Sequence, residues 1–243
     1  MKEMIRKILL VICVCVFAYS AYQLFLIYQN YQTIETESKV LIKEYVEETN
    51  DNNPLNRVID FQGLKEENKD VIGWLYIPDT NIDEPILKGE NNDTYLRTGI
   101  DKKKNSAGQI FIDEINNKDF KDDNTIIYGH NMKNGSRFHN LRYYVKNDFY
   151  NEHQKVYIYL PDNSVNVYQV YGAAIIDASS DFYQKGIDYK TYVNNALKVS
   201  KVKSEVSEEE SPLILLSTCY TTDSDNRYVV FARLDENVKT TEG

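Results

Sequence analysis

Cys219 and Arg227 stand eight residues apart in the stretch LILLSTCYTTDSDNRYVVFARL, residues 213–234 of a 243-residue chain. Leu213 to Thr218 is a run of apolar and β-branched residues. Thr221 to Asn226 is a polar cluster of turn formers, and Arg227 to Leu234 is again strand-like, so the stretch predicts an antiparallel hairpin. Folded about Asp223, the hairpin sets Cys219 opposite Arg227, with Cβ atoms about 5 Å apart on one face. Arg233 falls on that face too, but roughly 20 Å further along at strand rise. A thiolate is a nucleophile. A guanidinium is a permanent cation with a fork of donors that suits a carbonyl, a carboxylate or a forming oxyanion. The competing account is a buried strand cysteine beside a solvated arginine, because free cysteine is among the most buried residue types.

A working thiol needs a base or a cationic neighbour, and histidine is the usual one. The chain has 3 histidines. His139 and His153 sit in helical, charged surroundings and are expected to be solvated surface residues. His130 follows Gly129 at the end of the strand Thr125-Ile126-Ile127-Tyr128, at a strand terminus where barrel sites are commonly built. No pair of histidines has the close spacing of a ligand set, so neither a metal site nor a cofactor is expected.

The elements that must position these groups read as β-rich. The chain carries 20 tyrosines, many in alternating runs, which favours strands. Asn53-Pro54 reads as a helix N-cap with proline at the first position, opening a helix through about Lys69 with Leu55, Val58, Ile59 and Leu64 on one side. Strands follow at Gly73 to Ile77, Ile82 to Leu87, Gly108 to Ile112 and Asn124 to Tyr128, with a helical turn at Asn91 to Leu96. Gly129 to Asn151 is a long connection with two short helical pieces. Lys155 to Leu160 and Val165 to Ile176 form a hairpin. Asp188 caps a helix to about Val199, and the Cys219 hairpin closes the chain. About eight short strands with helices at the start and in two crossovers predict a closed or nearly closed barrel.

The first segment carries Lys2, Arg6 and Lys7 and then Ile8 to Ile27 without a charge, long enough to span a bilayer as a helix. The positive flank keeps the N-terminus cytoplasmic and the bulk of the chain outside. Ala18-Tyr19-Ser20 resembles a secretory cleavage site, but the apolar run continues to Ile27, which favours an uncleaved anchor. The expected layout is a membrane anchor at 1–28, a stalk at 29–52 with a weakly amphipathic helix from Thr33 to Thr49, a catalytic domain at 53–236 and a tail at 237–243. Cys13 and Cys15 lie within the span, so Cys219 is the one cysteine of the exported part and has no disulfide partner there. An unpaired thiol in an oxidising compartment reads as a reactive group. The net charge of -9 and the lack of a basic stripe argue against nucleic acid as a partner.

Tyr128-Gly129-His130-Asn131-Met132-Lys133-Asn134-Gly135 with Phe138, together with Leu216-Ser217-Thr218-Cys219 and Arg227, resembles the sortases, most closely class B. Gly73-Trp74-Leu75-Tyr76-Ile77-Pro78 and Asn92-Asp93-Thr94-Tyr95-Leu96 are similar to the family's first strand and substrate-wall segment. The resemblance runs from about Asn53 to Leu234, with one departure: the cysteine motif usually begins with threonine, where this chain has Leu215. It implies an eight-stranded sortase barrel with N-terminal helices and a helical crossover before the cysteine strand. It also implies a cysteine transpeptidase that cleaves a sorting signal of the Asn-Pro-x-Thr type in surface proteins after threonine. The acyl group would pass to an amine of the lipid-linked cell-wall precursor. Cys219 would be the nucleophile, His130 the acid and Arg227 the substrate and oxyanion clamp, with Asn92, Leu96, Tyr128 and Ser217 on the substrate groove. A pilin-polymerising sortase stays open. An L,D-transpeptidase fits less well, since Ser217-Thr218 stand where that family has histidine and glycine. A non-catalytic exported binding domain is the remaining alternative.

Overall fold

A computed structural model of the protein describes residues 1–47, 53–219 and 224–239, and of Cys219 the backbone alone. The expected hairpin centre at Asp223, the end of the stalk and the last four residues lie outside the described residues. The chain divides into two compact units, Met1–Lys39 and Val40–Gly243.

One helix, α1 (Lys2–Tyr45, 44 residues), takes the place of the expected separate anchor and stalk helices. The reason is local: no proline or glycine interrupts Lys2 to Tyr45, and Glu35 and Lys39 pair one turn apart at 2.6 Å, so nothing punctuates the helix. Its apolar window has a mean hydropathy of 2.2, and at 1.5 Å per residue the helix is about 66 Å long, ample to cross a bilayer. Among the described residues it is the one helix long and apolar enough to do so, as fits a membrane-anchored protein.

The helix expected from Asn53 to Lys69 is replaced by three pieces. Asn53 does cap, its Oδ1 accepting from the Leu55 amide at 3.0 Å, but only a 3₁₀ turn at Pro54–Asn56 follows. Val58 and Ile59 form β2 (Val58–Ile59), antiparallel to β1 (Val46–Glu47). Asp60 then caps α2 (Phe61–Glu67) through the Gly63 amide. β-branched Val58 and Ile59 are poor helix formers, and a distant strand partner decides their conformation.

The rest of the second unit is built on β3 (Val71–Tyr76), β4 (Asp83–Leu87), β5 (Ile110–Ile112) and β6 (Asn124–Tyr128). The crossover from β6 holds a 3₁₀ turn at Phe138–Tyr143 and α3 (Asn147–Glu152). Next come β7 (Lys155–Tyr159), β8 (Ser164–Asp177), α4 (Tyr189–Val199), the short β9 (Val202–Lys203), β10 (Leu213–Cys219) and β11 (Asn226–Lys239). Asp188 caps α4 as expected, its Oδ2 accepting from the Thr191 amide at 2.9 Å. The sheet order is β11-β10-β6-β5-β4-β3-β7-β8-β9, and β11 also pairs with β8. That pairing closes an eight-stranded barrel, with β9 as a short flap on β8. β11 was expected to end near Leu234, with a tail from 237; instead it pairs with β8 as far as Lys239 opposite Ser164. Register shifts at Phe231/Ala232 and Leu234/Glu236 let so long a strand coil round the barrel.

Period-two alternation sorts the side chains. Ile214 and Leu216 of β10, Ile127 of β6 and Val230 of β11 fill the barrel interior with Leu75, Ile86 and Ile158. Leu213, Leu215, Ile126, Val229 and Phe231 point outward and are covered by Tyr192, Val193 and Ala196 of α4. A small barrel filled in this way is a packed core with no lumen. Ligands must therefore be handled at its rim or on its outer face.

Candidate active site

β10 is the strand on which the site is assembled. It runs antiparallel to β11, where Cys219 is the register partner of Arg227, the pairing expected from the hairpin. On its other side β10 runs parallel to β6, with Ser217 abreast of Tyr128. Two residues beyond that pair the strands reach Cys219 and His130. A parallel pair delivers both chain ends to the same rim, about 4.8 Å apart.

A cleft of about 220 Å³ opens there, lined by Asn92, Asp93, Leu96, Phe111, Tyr128, Gly129, His130, Ser217, Thr218 and Arg227. The expected site residues whose side chains are described thus share one cleft, and Cys219 lies at its edge by backbone register. A larger cleft of about 400 Å³ lies elsewhere, between α4 and the start of β10. It is lined by charged groups such as Lys185 and Asp122, which pair at 3.2 Å.

The His130 ring is half-buried and its Nε2 lies 2.7 Å from the Leu96 carbonyl. A carbonyl oxygen only accepts, so Nε2 carries a proton and Nδ1 is the nitrogen left for proton transfer. Burial pushes the His130 pKa down, the Leu96 hydrogen bond opposes this, and the charges of Arg97 and Arg137 add to the depression. Gly129 is needed because Phe138 packs against it: a Cβ would fall 2.8 Å from the Phe138 ring. That contact accounts for glycine between Tyr128 and His130.

Tyr128 forms the floor. Its hydroxyl donates to Asp113 Oδ2 at 2.7 Å, and its ring packs on Phe111 and stacks on Tyr183. Burial, and the hydrogen bond to Asp113, push its pKa well above the usual tyrosine value. Asn92 lines the wall, but its amide is engaged at both ends: Nδ2 donates to Asp113 at 3.2 Å and Oδ1 accepts from the Glu114 amide at 2.9 Å. Asn92 braces the wall through these bonds. Ser217 is buried, with its hydroxyl 2.8 Å from that of Tyr183. Arg227 Nη1 donates to the carbonyls of Ser224 and Asn226, which fixes the start of β11 beneath the guanidinium.

Asp113 and Tyr183 were not singled out from the sequence. Asp113 follows a strand and Tyr183 sits in a 3₁₀ turn after β8; neither carries a local pattern, and tertiary folding alone brings them against the cleft-lining Asn92, Tyr128 and Ser217. His153, expected at the surface, is buried, stacked on the Phe149 ring at 3.9 Å between centroids, with Nδ1 donating to the Phe149 carbonyl at 2.8 Å. The i−4 spacing to an aromatic residue outweighs the charged neighbours. His139 is half-buried and bonds the Tyr143 hydroxyl at 3.2 Å. Among the described residues no group of three His, Cys, Asp or Glu side chains is arranged to hold a metal ion.

The family model of the sortase domain matches residues 75–235. Sortase B of Listeria monocytogenes is 35% identical over 230 residues, covering 90% of this chain and 92% of that protein. Among solved structures, a class B sortase of Streptococcus pyogenes involved in pilus biogenesis has a TM-score of 0.68 at 27% identity, covering 72% of this chain and 98% of that one. Sortase B of Bacillus anthracis has a TM-score of 0.68 at 26% identity, covering 86% and 98% of the two chains. The match takes in every residue that lines the cleft, from Asn92 to Arg227, and so the chain belongs to the sortase family, among the class B cysteine transpeptidases.

Proposed function

We propose that the cleft at the β6–β10 rim is the acyl-transfer site of a membrane-anchored sortase, with Cys219, His130 and Arg227 as its catalytic residues. The observation that carries this reading is the register of β10: Cys219 is paired with Arg227 on one side, and the parallel strand on the other side leads into His130. Cys219 attacks the threonine carbonyl of a sorting signal as thiolate. The electrons pushed onto the carbonyl oxygen are met by the Arg227 guanidinium. On collapse, the bond to the leaving amine breaks, and that amine takes a proton from His130 Nδ1. An incoming amine of the cell-wall precursor then attacks the thioacyl group, returns a proton to His130 and frees the thiolate. The Nε2 bond to Leu96 keeps the ring oriented through both proton transfers. Burial and the charges of Arg97 and Arg137 hold the His130 pKa below its ordinary value, and a thiolate beside it would favour the imidazolium. The anchor places the N-terminus in the cytoplasm and the barrel outside.

The expected signal is Asn-Pro-x-Thr, found on surface proteins. Tyr128, Leu96, Asn92 and Ser217 line the cleft that receives it. Cys219→Ala is expected to abolish hydrolysis and transfer while the barrel stays folded; retained thioacyl formation in that variant rejects the assignment. Cleavage after threonine is compared across five-residue signals. Asn-Pro-x-Thr peptides are expected to exceed Leu-Pro-x-Thr peptides by at least about tenfold, or roughly 1.4 kcal/mol in the transition state. Equal rates reject the signal and leave the cysteine chemistry standing. The pilus-related relative in Streptococcus pyogenes supports a second reading, in which a pilin lysine is the acceptor. Transfer to lysine-bearing and diaminopimelate-bearing peptides separates the two.

A further inference from the structure

We propose that Arg137 is a positioning residue that sets the His130 imidazole in place by tying the histidine loop to the opposite wall of the cleft; this rests on the role given to His130 above.

Arg137 is an improbable residue for its place. Its backbone has φ 55 and ψ -130, a conformation that glycine takes freely and a side chain strains to hold. Its side chain is fully buried, as is that of its partner Glu84, with Nη1 to Oε2 at 2.6 Å. A buried ion pair is a poor way to gain stability, because an apolar pair of similar size does as well without desolvating two charges. A strained backbone and a buried charge on one residue point to what that residue holds.

Its two ends hold the two sides of His130. At the backbone end, Arg137 bridges to Asn131 across the neck of the loop, and the next amide, Phe138 N–H, donates to the His130 carbonyl at 2.9 Å. At the guanidinium end, Nε donates to the Gly108 carbonyl at 3.1 Å. Gly108 has φ 53 and lies so tightly on the Tyr95 and Leu96 carbonyls that a Cβ would come within 2.4 and 2.5 Å of their oxygens. The Leu96 carbonyl is the acceptor of the His130 ring. The contacts therefore close a circuit: ring to Leu96, Leu96 to Gly108, Gly108 to Arg137, and Arg137 back to the backbone of His130. One side chain fixes both the root of the imidazole and the acceptor that orients it. A lysine has a single compact charge and no Nε–H, so it cannot hold Glu84 and Gly108 in the same fork geometry.

The test uses the full chain in detergent micelles, the signal peptide that the unaltered enzyme cleaves fastest, and the variants Arg137→Lys and the paired Glu84→Met with Arg137→Met. The paired change removes both buried charges at once, so the melting temperature is expected to stay within a few degrees. In both variants kcat is expected to fall about 10- to 100-fold, the scale of a misplaced catalytic group, with KM changed less than threefold. The His130 Nε2–H resonance, bonded to Leu96 in the unaltered protein, is expected to shift or broaden, a readout that does not depend on activity. A folded variant with unchanged kcat and an unchanged His130 resonance overturns the proposal, as does a rise in KM alone. Loss of the fold in both variants assigns Arg137 a structural role and also overturns it. His130→Ala separates the two levels: full activity there defeats the catalytic reading, whereas an inactive His130→Ala beside a fully active Arg137→Lys defeats only the inference about Arg137.

Discussion

His130 enters the folded protein with a proton affinity below that of an exposed histidine, because burial and the charges of Arg97 and Arg137 disfavour the imidazolium. The unfolded chain therefore binds the proton more readily than the folded one in the window just below the ordinary value of 6.5. Stability accordingly rises with pH through that window and falls as the medium is acidified. His139 is depressed in the same direction by burial and Arg142. Replacing His130 by glutamine is expected to flatten, without abolishing, the fall in melting temperature between pH 7 and pH 5; an unchanged slope contradicts the account. His153 makes the contrasting case. Stacked on Phe149 and not among the residues that line the cleft, it is a packing residue, so His153→Ala should destabilise the barrel by about 1–3 kcal/mol. Its cleavage rate per folded molecule should match the parent, as urea denaturation and peptide assays would report. At this scale the groups proposed to react could be picked out because a lone cysteine, a histidine and an arginine fall at or beside strand ends. Asp113 and Tyr183 were not, because an aspartate and a tyrosine gain their place in the site only from neighbours distant in sequence.

Among the elements, those specified by short-range signals were read correctly and those specified by distant partners were not. Asp188 and the apolar positions of α4 announce that helix. The hairpin of β10 and β11 follows from two strand-like runs about a turn cluster, and its register carried Cys219 to Arg227. The Pro54 signal is equally real, yet it yields one turn, because Val58 and Ile59 are claimed by β1. The length of β11 was missed for a related reason. Residues 235–239 are polar but for Val238 and look dispensable, yet β8 pairs with Glu236 to Lys239, with Asn237 Nδ2 donating to Asn166 Oδ1 at 2.6 Å. Ending the chain after Leu234 is therefore expected to cost about 2 kcal/mol or more in lost ladder hydrogen bonds. Chemical denaturation measures this, and a truncated chain as stable as the parent refutes the role given to the end of β11.

At the scale of the molecule, the barrel class was legible from the number and spacing of strands, and the sortase resemblance supplied its topology. The boundary of the folded unit was not legible. Leu41 belongs to the buried cluster formed with Ile59, Trp74 and Val165, and Ile42, Tyr45 and Val46 pack against it, although the stretch was expected to be stalk. A chain begun at Val40 is expected to melt cooperatively, whereas one begun at residue 53 should be less stable by at least about 2 kcal/mol, the burial of a leucine with its neighbours. Equal stability of the two would place the boundary where the sequence suggested. The parallel pairing of β10 with β6 has a consequence in time. Leu213 meets Asn124 about ninety positions earlier in the chain, and contacts of such separation form slowly and late. His130 leaves the ribosome well before its partner strand, and the ring of strands is complete only when β11 has reached β8. A nascent or arrested chain thus has every part of the first wall and no working cleft. The thiol chemistry proposed for this enzyme begins only once β11 has been made and paired with β8, and the barrel's last seam acts as the clock that starts it.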